Sequence, residues 1–282
     1  MIIGMSRSEG QHTTDLFSPY HVLETARIIP FRHNDIQNKR FLDLGCGVSN
    51  PLGLSALMYA NGAGKTLAVD MRRPSFPERA AAAIVDLLDA CLAHPDRFHF
   101  GQNSQADFES RIRKVRAAHD DAGLASGQDI LPIENFIGDF VEMQLPGASF
   151  DVSVSRAVFE HFEDVHAAAR ALYRVVSHGS FGVHLIDFSD HRFYKKPGFS
   201  RHSHLTSSLA SMDGEPVEDR VNGLRCSEMA GCFREAGFQV RVGSVYRVPL
   251  SAEELQDLSP RYEHLEQDDL ETCVATFHLI KT

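Results

Sequence analysis

Three acidic residues sit where short apolar runs end, and they are the first candidates for binding chemistry. Asp43 lies in FLDLGCG, Asp70 closes TLAVD, and Asp139 closes IENFIGD. A carboxylate at a strand end meets a cation or a hydrogen-bond donor, while glycine at 45 and 47 lets the backbone take positive φ and approach a ligand closely. Asp70 follows Asp43 by 27 positions, and an acidic side chain there can accept from both hydroxyls of a ribose. A second group of residues suits proton transfer. His161 lies in FEHFED, and HLIDFSDH supplies His184, Asp187 and His191. A neutral imidazole can take a proton from a hydroxyl while a neighbouring carboxylate orients it. Two histidines and a carboxylate could also hold a divalent ion. The spacing H-x-x-D-x-x-x-H is not specific for a metal across a strand end, so no metal ligands are assigned.

Seven apolar runs must position these residues: 41–44, 66–70, 133–139, 150–155, 181–187, 240–248 and 273–280. Between them, Val165, Ala168, Ala169, Leu172, Val175 and Val176 follow helical spacing, as do Met229, Cys232, Phe233 and Ala236 ahead of Gly237. Strands alternating with helices predict an α/β fold with a mostly parallel sheet. The three acidic residues fall at the carboxyl ends of three consecutive predicted strands, where an open α/β sheet has its crevice. The stretch 71–131 is too long for an ordinary connection. It contains two helical patterns, one through Ile84, Leu87, Leu88, Cys91 and Leu92 and another through Phe108, Ile112 and Val115. It is expected to form a helical insertion after the second strand, serving as a cap or an oligomer contact, within a single domain spanning 1–282.

The pattern D-x-G-x-G after a strand resembles motif I of the class I S-adenosylmethionine-dependent methyltransferases, and FDVSVSRAVFEHFED resembles motif IV of their small-molecule branch. The resemblance implies a Rossmann-like seven-stranded sheet whose last strand inserts antiparallel, with helices on both faces. It implies S-adenosylmethionine as cofactor, held by Asp43, Gly45, Cys46, Gly47 and Asp70. Asp139 would take the adenine amino group, Phe140 or Met71 would pack on the adenine face, and Ser155 would lie beside the methionine portion. His184, His191, His161 and Asp187 would then supply the base or orient the acceptor. HLIDFSDHRF with RVNGLRCSEMAGCFREAGF is similar to a bacterial subgroup that acts on surface glycans and secondary metabolites. The expected reaction is O-methylation of a small or sugar-containing acceptor. N-methylation of an amine and a non-catalytic partner subunit of the same fold are the alternatives.

Rival nucleotide sites fit less well. A dinucleotide fingerprint needs glycine or alanine at position 50, which is Asn50. GAGKT at 62–66 mimics the end of a P-loop, but its first glycine would fall on Tyr59. The residues Ser155-Arg156-Ala157-Val158 contain neither the N-P-P-Y tetrad of base and glutamine methylation nor a Pro-Cys pair. A net charge of -10 disfavours nucleic acid and anionic membrane as partners. Arg192, Lys195, Lys196, Arg201, His202 and His204 form a local basic patch that could meet an anionic group on the acceptor. Five cysteines without a C-x-x-C pair suggest a reducing compartment. With no signal peptide or membrane span in the pattern, a cytoplasmic protein is expected, with homo-oligomerisation open.

Overall fold

The computed structural model describes residues 16–28, 36–122, 132–216 and 219–282. Its elements in chain order are α1 (Pro19–Arg27), β1 (Arg40–Leu44), α2 (Gly53–Ala60), β2 (Lys65–Asp70), α3 (Pro77–Ala93), α4 (Pro95–Phe98), α5 (Gln105–Ala122), β3 (Ile133–Ile137), β4 (Phe150–Arg156), α6 (Val165–Val175), β5 (Val176–Asp187), α7 (Cys226–Glu235), β6 (Gln239–Arg247), α8 (Ala252–Gln256), α9 (Gln267–Leu270) and β7 (Thr272–Ile280). The strands form one sheet in the order β3-β2-β1-β4-β5-β7-β6. Pairing is parallel from β3 through β5, and β7 runs antiparallel to both β5 and β6. The order reverses between β1 and β4, which opens a crevice beyond their carboxyl ends.

Alternation along the strands sorts side chains between two cores. Phe41, Ala68, Val152, Val154 and Val183 face one side, beneath α1, α2, α3 and α5. Leu42, Leu44, Val69 and Ile186 face the other, beneath α6 and α7. Helix α6 begins at Asp164, whose carboxylate accepts from the Ala167 amide at 2.8 Å, and buries Val165, Ala168, Ala169, Leu172 and Val175. Full burial of each larger apolar side chain contributes roughly 1.5–3 kcal/mol. Phe108, Ile112 and Val115 of α5 join the first core, while Arg111 donates to the carbonyls of Tyr59 and Ala63 at the end of α2. The last part of the expected insertion, 123–131, lies outside the described residues. No helix among the described residues is long and apolar enough to cross a membrane.

The antiparallel β7 is fastened by a charge. Arg225, just before α7, is fully buried. Its guanidinium donates to the carbonyls of Phe188 at 2.8 Å, Leu270 at 2.9 Å and Asp269 at 3.2 Å, and also to that of Thr272. These carbonyls stand where β5 ends and β7 begins, so one cation joins two segments far apart in sequence. Arg225→Met is expected to leave several buried acceptors without donors and lower unfolding stability by about 3 kcal/mol. Urea denaturation of the variant against wild type measures that loss.

Candidate active site

The turn after β1 is tied to the end of β2. The Gly45 and Cys46 amides donate to the Val69 carbonyl at 2.8 and 3.0 Å, and the Gly47 amide donates to Asp70 Oδ2 at 2.9 Å. Asp70 Oδ1 accepts from the Arg72 amide at 3.0 Å. Gly45 and Gly47 have φ of 69° and 82°, a region other residues enter at a cost. A Cβ on Gly45 would stand 2.2 Å from Val158, whereas one on Gly47 would meet only open space. The turn therefore packs on one side and is open on the other.

Asp43 lies beneath this turn, 5% exposed, and no hydrogen-bond donor among the described residues reaches its carboxylate. Burial, reinforced by the charge of Asp70, pushes its pKa up to about 8. A buried carboxylate without a partner is costly to ionise. A cationic or donor group at this place would remove that cost. An anionic pyrophosphate would add to it, which disfavours a dinucleotide. Cys46 is half-buried, and burial holds its thiol well above the usual range, so it stays neutral in the wall of the turn.

Other expected site residues separate into those that face the crevice and those that do not. Met71 is 64% exposed directly after Asp70. Asp139 Oδ1 accepts from the Val141 amide at 2.8 Å, and Gly138 donates to the Asp70 carbonyl at 2.8 Å, which brings that turn beside β2. Phe140 is a correction: it is 2% exposed within the second core, so its ring is committed to packing and cannot cover an adenine. Ser155 is another. Strand alternation turns its side chain toward the α6 and α7 face, where its hydroxyl bonds to His184 Nδ1 at 2.8 Å. His184 is also corrected as a base. It is fully buried, with Ser153 Oγ 3.2 Å from its Nε2 and the rings of Phe159 and Phe233 beside it. Burial pulls its pKa down to about 3, and no acceptor can reach it.

His161, Asp187 and His191 do converge, at the carboxyl ends of β4 and β5. After β4, Ala157 takes a φ of 55° and the chain enters a short 3-10 turn, Phe159–His161. After β5, a second turn, His191–Tyr194, is capped by Asp190, which accepts from the Arg192 amide at 2.9 Å. The His161 and His191 rings meet edge to face with centroids 4.9 Å apart, and His191 Nε2 stands 3.9 Å from Asp187 Oδ2. Tyr194 donates to the same Asp187 oxygen at 2.8 Å. Glu160 joins them, its Oε1 accepting from the Asp187 amide at 3.1 Å. His161 Nδ1 lies 2.8 Å from the Arg220 carbonyl. A carbonyl only accepts, so Nδ1 carries the proton and the Nε2 lone pair is left available. Asn222 clamps the turn by donating to the Phe159 and Phe162 carbonyls at 2.8 and 3.1 Å. The field of Arg72 acts on His161, which links this cluster to the Asp70 side of the crevice. Helix α1 borders it through Thr25 Oγ1, which accepts from Arg156 Nη1 at 2.9 Å.

Sequence reading missed Glu160 and Tyr194. Glu160 stands beside His161 in FEHFED, but its burial depends on the neighbouring strand. The basic patch is largely consumed internally. Arg192 pairs with buried Asp190 at 2.6 Å, Lys195 with Asp219 and Lys196 with Glu215, and His202 Nε2 bonds to the Val248 carbonyl at 2.8 Å.

Residues 106–183 match the model of a family described as a methyltransferase domain, and this stretch carries β3, β4, α6 and most of β5. The match to a methyltransferase domain covers less than half of the chain. No curated protein matches it in sequence. Among solved structures, the chain is similar to the YcgJ protein from Bacillus subtilis, at 15% identity over 93% of this chain and 99% of that one, with a TM-score of 0.48. It is also similar to an S-adenosylmethionine-dependent methyltransferase from Mesorhizobium loti, at 14% identity, coverage of 91% and 95%, and a TM-score of 0.46. Phosphoethanolamine N-methyltransferase 2 from Haemonchus contortus, in complex with S-adenosyl-L-methionine, matches at 15% identity over 93% of this chain and 52% of that one, with a TM-score of 0.49.

The environment of Asp43 makes the ligand-free protein sensitive to pH. Its folded pKa of about 8 lies above the value near 4 of an unfolded aspartate. Its contribution to stability is therefore full below about pH 4 and is lost as pH rises toward 8. Asp43→Asn removes that loss. The melting temperature of the variant is expected to exceed that of wild type by a margin that grows from pH 5 to pH 8, reaching about 5 °C, in thermal melts without cofactor.

Proposed function

We propose that this protein is an S-adenosylmethionine-dependent methyltransferase that transfers the methyl group to a hydroxyl oxygen of a small acceptor held over the carboxyl ends of β4 and β5. S-adenosylmethionine supplies a methyl group already activated on a positively charged sulfur, so no covalent enzyme intermediate is needed. Asp43 receives the cationic amino end of the cofactor. Asp70, each of whose oxygens accepts one backbone amide, has lone pairs left for the ribose hydroxyls. Met71 covers the adenine, and Asp139 stands at the adenine end of the crevice.

On the acceptor side, the observation that carries the reading is the orientation of His161. Its Nδ1–H is committed to the Arg220 carbonyl, so Nε2 is presented to the cluster as a proton acceptor. Asp187 is held by the Ser189 amide at 2.9 Å and by Tyr194, and it steadies His191 from the other side. Alignment of the acceptor oxygen with the methyl group supplies the rest of the rate. With Arg192, Lys195 and Lys196 each paired to a carboxylate, most of the 192–204 patch is not available to an anionic group on the acceptor. A second reading, N-methylation, draws on Glu160 and Asp187, since two neighbouring carboxylates favour binding of an ammonium, which would give its proton to one of them before the amine nitrogen accepts the methyl group.

A labelled methyl donor tested against matched panels of hydroxyl and amine compounds separates the two readings. Product from the hydroxyl panel supports O-methylation, and product confined to amines overturns it. His161→Ala is expected to lower kcat by roughly 10²–10⁴-fold while leaving the cofactor Kd within about twofold. Full turnover in that variant would remove His161 from the chemistry.

A further inference from the structure

We propose that Glu160, His161 and His191 form a binding site for one divalent transition-metal ion. A ligand oxygen of Glu160 and a ring nitrogen of each histidine all lie within 4.8 Å of one another. Metal–nitrogen and metal–oxygen bonds of about 2.0–2.2 Å require these atoms to close to within roughly 4 Å. Small side-chain rotations of two turns achieve that. Two imidazoles and one carboxylate suit zinc, iron(II), cobalt or manganese better than magnesium or calcium, which prefer all-oxygen sites.

Glu160 gives an independent reason. It is 2% exposed, and only Oε1 is satisfied, by the Asp187 amide. Oε2 is buried and has no hydrogen-bond partner. A buried carboxylate oxygen without a donor, beside a second carboxylate on Asp187, calls for a cation. Tyr194 and the Ser189 amide engage Asp187, and Arg201 donates to the Tyr194 hydroxyl at 2.7 Å.

The surroundings also match those of a metal site. A ligating histidine ordinarily donates its other ring N–H to a carbonyl or carboxylate, which fixes the tautomer. His161 does so to Arg220. The turn that carries Glu160 and His161 is held by Asn222, whose amide donates to the Glu160 carbonyl at 2.8 Å and whose side chain donates to the flanking carbonyls. An ion here would bridge the turns after β4 and β5 across the acceptor side of the crevice. Three protein ligands leave positions for a hydroxyl oxygen of the acceptor.

This proposal rests on the O-methylation reading for its role. With the ion in place, His161 is a ligand rather than the base, and the bound hydroxyl becomes more acidic. Its proton passes to Asp187, and the oxygen forms a bond to the methyl carbon as the carbon–sulfur bond breaks, leaving a neutral thioether.

The test uses the full chain, stripped with chelator, dialysed and titrated with Co²⁺ by visible absorption. Pulsed EPR of the Cu²⁺-loaded protein counts imidazole nitrogens. Expected are one Co²⁺ per chain, two coordinated imidazoles, and an affinity that falls at least roughly 100-fold in His161→Ala and in His191→Gln, more than loss of an outer partner brings. His166→Ala, on the surface beside Glu235, is expected to bind as wild type. The Cu²⁺ measurement on wild type keeps the question decidable if a variant does not fold. Absence of stoichiometric binding, or binding indifferent to His161 and His191, overturns the metal site. Calorimetry with S-adenosylmethionine on the same samples separates the outcomes: retained cofactor binding confines the failure to the metal, whereas its loss in wild type overturns the cofactor reading as well.

Discussion

Two carboxylates, Asp43 and Asp70, are held at the ends of adjacent parallel strands with no cation from the described residues shown between them. The pairing of β1 with β2 is regular from Arg40 to Leu44, so neither side chain can move away without breaking the sheet. The glycine turn is fixed by the same strands, since its amides donate to Val69 and Asp70. Repulsion and burial are thus built into the centre of the molecule. A ligand that brings positive charge or hydrogen-bond donors would relieve them. That constraint favours a cationic ligand over an anionic dinucleotide on the β1 and β2 side, and under the proposed function the acceptor takes the ends of β4 and β5.

Much of this was legible in the sequence. The seven apolar runs coincide with seven strands, and the main discrepancy is β5, which begins at Val176 rather than 181. There the strand continues directly from α6 through a polar stretch, SHGS, that has no apolar pattern to mark it. The antiparallel last strand followed from the family resemblance, not from periodicity. Asp43, Asp70, Gly45 and Gly47 announced themselves because their types are unusual at the end of a buried strand.

The misplaced residues fail for one shared reason, which is the face on which a side chain emerges. His184 and Asp187 stand three apart on β5 and therefore point to opposite faces. His184 shares a face with Ser153 and Ser155 and is sealed under α7. Asp187 ends the strand on the crevice side. Phe140 turned inward because the loop after β3 rejoins the second core, a tertiary event with no local signal. Glu160 was hidden by its neighbour: in FEHFED the histidine drew notice, while the buried carboxylate is recognisable only once Asp187 is seen to donate to it. The basic patch from 192 to 204 looked like an anion site because Asp219 and Glu215, which pair with Lys195 and Lys196, come from a later segment, while Asp190 turns back onto Arg192 from the cap of its own turn.

The central claim is that Asp43 waits for a cationic ligand, and proton counting tests it most directly. Calorimetric titration with S-adenosylhomocysteine at pH 7, repeated in buffers of different ionisation enthalpy, gives the number of protons exchanged on binding. A carboxyl with a pKa of about 8 that becomes ionised against the ligand's amino group releases about 0.9 proton per chain by linkage. The account predicts that release, and its absence in Asp43→Asn. Binding with the same heat in every buffer, or release unchanged in the variant, would contradict it.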